Sequence, residues 1–167
     1  MNPYLALVNQ KRYFADLLLQ QAALAAGNRP LQQALLQGAV LHLDDGLRCY
    51  LAEIAAAYQC RTPDAVADPQ GLMAALQAQG KCPGEAAEID NLARDQHTWL
   101  GQLRSCRQAL CRPSQQGAQQ PRGGDHIAAL STDASYDWSL LAVEQVRAWL
   151  AACNEMVERQ REVMVEF

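Results

Sequence analysis

Aromatic side chains make up only 6% of this chain and β-branched residues are scarce, so little of what builds a pleated, half-buried surface is present. Without a convincing strand, no glycine-rich phosphate loop follows one, and nucleotide-binding α/β folds are excluded. Six cysteines occur, Cys49, Cys60, Cys82, Cys106, Cys111 and Cys153, but none forms a CxxC pair and none has a histidine at zinc-site spacing. Nor is there the Glu-x-x-His pairing of carboxylate-bridged dimetal bundles, so neither a metal nor another cofactor is expected. The longest apolar runs, Leu17 to Leu19 and Ala22 to Ala26, are parted by Gln20 and Gln21. They fall far short of the roughly 20 residues that cross a bilayer. Lys11, Arg12 and Asp16 stand where an export signal needs its apolar stretch, which points to a cytoplasmic chain with reduced thiols. Positive charge is also short. A net charge of -4 and a pI near 5.3 argue against broad contact with phosphate backbones or anionic lipid.

What is abundant is alanine, leucine and glutamine, side chains that lose little freedom in a helix. With 50% apolar residues in 167, the chain has the material for one core and one domain spanning 1–167. Ile89, Leu92, Gln96, Trp99, Leu103, Cys106 and Leu110 repeat a three-then-four spacing, the seam of a helix packed lengthwise on others. A matching line runs through Ala142, Val146, Trp149, Cys153, Met156, Gln160 and Val163. Asn2-Pro3 opens a first helix that runs to about Ala26, where Gly27 and Asn28 close it. A second helix spans Pro30 to Tyr58. Thr62-Pro63-Asp64 and Asp68-Pro69 start a helical turn and a helix of about ten residues ending at Gly80. A third long helix follows over Glu85 to Arg112, and a fourth from Asp137 or Trp138 to Arg161 or beyond. From 113 to 135 the composition turns to Gln, Gly, Pro, Ser and Arg, which predicts a flexible loop. The expected fold is all-α: an antiparallel up-down-up-down four-helix bundle with a short extra helix in the connection between helices two and three.

Two sets of residues stand out as candidate sites. Asn9, Asp16, Gln96 and His97 are polar positions on otherwise apolar faces that either fix helix register or line an inter-helical pocket. Asn9, Gln10, Gln145 and Gln160 belong to the same group of polar positions. Arg104, Arg107, Arg112 and Arg122 form the one concentrated basic region, readable as a patch for an anion or an acidic partner, or as a complement to the helix dipole. Cys106 and Cys153, on the seams, are read as small hydrophobes, and Cys111 as more exposed. The bundle is similar in architecture to the HEPN class, whose ribonucleases carry an Arg and a His separated by four to six intervening residues on one helix. Here Arg94 is followed by His97 after two residues and Arg122 by His126 after three, so that catalytic pair is absent.

Leu5 to Ala15 with Leu17-Leu18-Leu19, and Leu47 to Ile54, resemble a family of small helical bacterial proteins classed as a domain of unknown function. That resemblance implies a bacterial cytoplasmic setting and carries no site residue. The leading expectation is a non-enzymatic helical interaction module with an unknown protein partner or with itself, as a dimer. The rivals are an enzyme or small-ligand binder with an inter-helical pocket, and an RNA-associated bundle; membrane association is not expected and nucleic acid is disfavoured.

Overall fold

A computed structural model describes residues 2–112 and 137–164 of the chain. The expected loop at 113–135, with Arg122 and His126, lies outside the described residues. Among the described residues there are six α-helices and no strand: α1 (Tyr4–Leu24), α2 (Arg29–Ala57), α3 (Pro69–Gln77), α4 (Gly84–Arg94), α5 (Trp99–Ala109) and α6 (Val143–Met164). Two 3-10 turns, Pro63–Ala65 and Trp138–Leu140, precede α3 and α6.

The helix ends follow the local chemistry. Asn28 caps α2 by accepting from the Leu31 amide at 3.2 Å, and Asp68 caps α3 by accepting from Gly71 at 2.7 Å, each with proline in the first turn. At the other end of α2 the Cys60 amide reaches the Ala55 carbonyl and the Gln59 amide the Ala56 carbonyl, a Schellman closure. It forces Gln59 to φ 57°, a left-handed conformation that a side chain resists. Past α3 the same closure uses Gly80 at φ 69°, where no Cβ resists.

The single long helix expected over Glu85 to Arg112 is two helices. The chain leaves α4 at Asp95 and restarts at Thr98, both extended in backbone conformation. Thr98 Oγ accepts from the Gly101 amide at 3.1 Å and donates to the Asp95 carbonyl at 2.8 Å, so it caps α5 and ties back the turn. Gly101 makes this possible, because a Cβ there would collide with the Asp95 carbonyl. Periodicity missed the break because both halves keep their apolar faces inward: Ile89, Leu103 and Cys106 are buried. Gln96, set on that seam, is instead exposed in the turn. The last helix also starts later than expected, at Val143, after the 3-10 turn at Trp138.

Helix α2 is the axis of the core. Six consecutive residues, Tyr50 to Ala55, are buried, which a helix manages only when neighbours cover every side. α1, α3, α5 and α6 all pack on it. α1 lies closest, and Gly46 shows how: a Cβ added to it would sit 3.3 Å from Lys11 Cβ. The α6 seam holds from Val146 through Trp149, Cys153 and Met156 to Gln160, all buried, while its expected ends Ala142 and Val163 are exposed.

Candidate functional site

The central helix carries one charge into the core. Glu53 is 3% exposed, and Arg161 of α6 meets it with two parallel bonds, Nε to Oε1 and Nη2 to Oε2, each 2.7 Å. A third guanidinium nitrogen donates to Asn9 Oδ1 at 2.8 Å, and the guanidinium carbon lies 5.9 Å from the centre of the Tyr50 ring. Next to it the buried Gln160 accepts from the Tyr50 hydroxyl at 2.9 Å and donates to Glu88 at 2.8 Å, and Glu88 is held by Arg159 at 2.6 Å. Arg159 and Gln160 pull the Glu88 carboxyl below its usual range, while burial, helped by Glu53, pushes the Tyr50 phenol well above its own. Each of these groups serves another protein group, so the network pins α6 to α2 and α4.

A shallower polar groove between α1 and α6, about 450 Å³, is lined by Asn9 and Asp16 together with Arg12, which donates to Asn154 and Glu158. Asn9 and Asp16 therefore line one groove. Gln96 and His97 do not join them; both are exposed in the turn between α4 and α5.

The arginines divide similarly. Arg104 and Arg107 of α5, with Arg48 of α2, stand at the rim of a groove of about 260 Å³ floored by Leu47, Leu51, Ile89 and Leu100. Arg112 lies exposed just past α5, where its carbonyl accepts from the Trp138 indole at 3.1 Å. Two carboxylates share the groove with the three arginines: Asp44, 3.5 Å from Arg48 and 3.6 Å from Arg107, and Asp68, which caps α3. Burial raises the Asp44 pKa despite those neighbours and Arg104, which pull it down. Arg104 makes no ion pair or hydrogen bond among the described residues. The groove was half legible: arginines at i, i+3 on one helix show in the sequence, whereas Arg48, Asp44 and the apolar floor are brought together only by the packing of α2, α3, α4 and α5.

The two seam thiols are inert by placement. Burial pushes Cys106 and Cys153 up to about 12, so both stay protonated at neutral pH, as seam hydrophobes should. Cys111 is exposed. No cluster of three metal-ligating side chains occurs among the described residues, and no helix there is long and apolar enough to cross a membrane.

The chain belongs to the family described as a family of unknown function (DUF6586), which matches residues 1–167. No curated protein and no solved structure matches it.

Proposed function

We propose that the chain is a non-enzymatic helical interaction module of the bacterial cytoplasm, and that its arginine-rimmed groove docks an acidic, apolar segment of a partner protein. The carrying observation is the excess of cations at the rim: Arg48, Arg104 and Arg107 face a space that Asp44 and Asp68 also line, and among the described residues only Asp44 comes within ion-pairing distance of them, above a floor of four aliphatic side chains. A carboxylate beside a leucine-sized side chain complements that surface, since arginine binds carboxylate in planar pairs and the floor takes the apolar group. Size argues in the same direction. At 260 Å³ the groove lies below the roughly 300–1,000 Å³ of sites that enclose a drug-sized ligand or cofactor, and suits one or two side chains. The six thiols, three of them buried, fit a reducing compartment. In this reading α1, α2, α6 and the broken pair α4–α5 occupy the four positions of an antiparallel bundle, with α3 as the extra helix in the connection. Packing of α6 on α1, α2 and α5 supports it.

The test is calorimetric titration with three probes: a peptide of alternating Glu and Leu, the same peptide with Gln for Glu, and N-acetyl-leucine. The Glu peptide should bind, weaken with salt, and lose about tenfold in affinity in Arg104→Ala, a loss of the size of one charge-assisted contact. Equal binding of the Gln peptide, or binding of N-acetyl-leucine alone, overturns the docking of an acidic segment.

A further inference from the structure

Helix α1 has two apolar faces. The inner one, Val8, Ala15, Leu19 and Ala22, is buried against the rest of the chain. The outer one runs through Ala6, Gln10, Tyr13, Leu17, Gln20 and Leu24, all exposed, with Tyr13 at 59% and Leu24 at 81%. These outer positions are spaced alternately four and three, the spacing by which one helix meets another along a coiled-coil seam. No charged residue falls on it.

The seam also reads the same in reverse. About the level of Ala15, Ala6 lies as far to one side as Leu24 does to the other, Gln10 as far as Gln20, and Tyr13 as far as Leu17. Laid antiparallel on a second copy, α1 thus puts its smallest seam residue against the exposed Leu24, amide against amide, and the Tyr13 ring against Leu17. Each layer contains one residue from each of the two heptad positions, as an antiparallel pair requires. Gln20, whose amide nitrogen donates to Asp16 at 2.7 Å within α1, keeps its carbonyl oxygen to accept from Gln10 of the second copy.

We propose that this face is an isologous homodimer interface, two α1 helices packed antiparallel about a two-fold axis near Ala15. A hetero-partner would need a complementary helix but would place no demand on α1 to complement itself, whereas a second copy does. The interface is small. A helix of 21 residues is about 30 Å long and about 10 Å wide, a footprint near 300 Å² against the roughly 800 Å² per partner of a standard interface. The dimer is therefore weak and concentration-dependent. Its register has one further mark: Asp16 flanks the seam beside Leu17, so the two copies of Asp16 face each other across the axis and repel. No residue lining the arginine-rimmed groove lies on α1, so the dimer and the docking reading stand or fall separately.

Sedimentation equilibrium over a wide concentration range tests the proposal, with isotope-filtered NOE spectra on a mixture of labelled and unlabelled chain. The expected result is a reversible dimer with intermolecular NOEs from Leu17 methyls to the Tyr13 ring. Leu17→Glu, which sets a charge into two symmetry-related layers at an exposed position, should weaken it by at least about tenfold. Asp16→Asn should tighten it by about twofold by removing the repulsion. A monomer at every concentration, a dimer indifferent to Leu17→Glu, or NOEs joining Leu24 to Leu24 overturns the proposal.

Discussion

Glu53 and Arg161 are joined side-on by two bonds of 2.7 Å, with Glu53 among the most deeply buried polar residues of the described chain. A buried pair of this kind is worth little net against apolar replacements, but breaking it from one side is costly because the survivor loses its counter-ion and its water. Arg161→Ala should destabilise the fold by about 3–5 kcal/mol. The double change Glu53→Leu with Arg161→Met should recover most of that loss. The pair Arg12 and Glu158, in which the carboxylate side chain is 68% exposed, gives the contrast: Glu158→Ala should cost no more than about 1 kcal/mol. Urea unfolding followed by circular dichroism measures all three, and equal losses for Arg161→Ala and Glu158→Ala would refute the assignment.

The two Schellman closures differ only in what occupies the left-handed position. Gln59→Gly should stabilise the protein by about 0.5–1 kcal/mol, and Gly80→Gln should destabilise it by a similar amount. The opposite signs, read as shifts in the unfolding midpoint, make the pair its own control.

The break between α4 and α5 rests on Gly101 and Thr98. Thr98→Ala removes the cap and should cost about 1 kcal/mol. Gly101→Ala drives a methyl into the backbone of Asp95 and should cost more, since the obstacle is a carbonyl rather than a side chain that can turn away. Thermal unfolding with the order Gly101→Ala below Thr98→Ala below wild type is expected; a harmless Gly101→Ala would mean that α4 and α5 run on as one helix.

Asp44 gives a pH dependence of defined sign. Its folded pKa is raised, chiefly by burial, so the folded state holds the proton more tightly than the unfolded chain does. That contribution to stability is complete below the unfolded pKa of about 4 and is lost as the pH rises through the folded value. Asp44→Asn should remove this part of the decline, seen as a flatter stability profile on the acid side of neutrality. It should also tighten binding of the Glu peptide, because the groove loses its internal counter-ion.

The thiols separate by exposure. In the native protein Cys82 and Cys111 should react rapidly with a disulfide reagent, while Cys60, Cys106 and Cys153 should react only after denaturation. A stopped-flow thiol count checks this, and fast modification of Cys153 would contradict its burial on the inner face of α6.

Helix existence was largely legible, because caps and prolines act locally: Pro30 and Asp68-Pro69 mark helix starts, although Asn28, expected to close the first helix, instead caps the second. The α6 seam was legible for the same reason that the α4–α5 break was not. Apolar spacing records which residues face inward and is silent on whether the backbone between them bends. The candidate sites were legible by half in each case. Asn9 with Asp16, and Arg104 with Arg107, sit a turn or two apart on a single helix, and the fold keeps each pair together. Gln96 and His97 depended on α4 and α5 being continuous, and Arg48 and Glu53 acquired their roles only from helices distant in sequence.

The bond between Glu53 and Arg161 also has a place in time. The two residues are 108 positions apart, so at synthesis rates of about 5–20 residues per second Arg161 follows Glu53 by roughly 5–20 seconds. Throughout that interval α1 and α2 can already pair, yet the C-terminal part of α2 carries a carboxylate whose only ion-pairing cation among the described residues does not yet exist. A nascent chain in this state must keep that flank open to water, and any closure of the core before α6 arrives would trap a bare charge. Arg161 therefore works as a late lock, licensing the final step of assembly only once its own helix has been made.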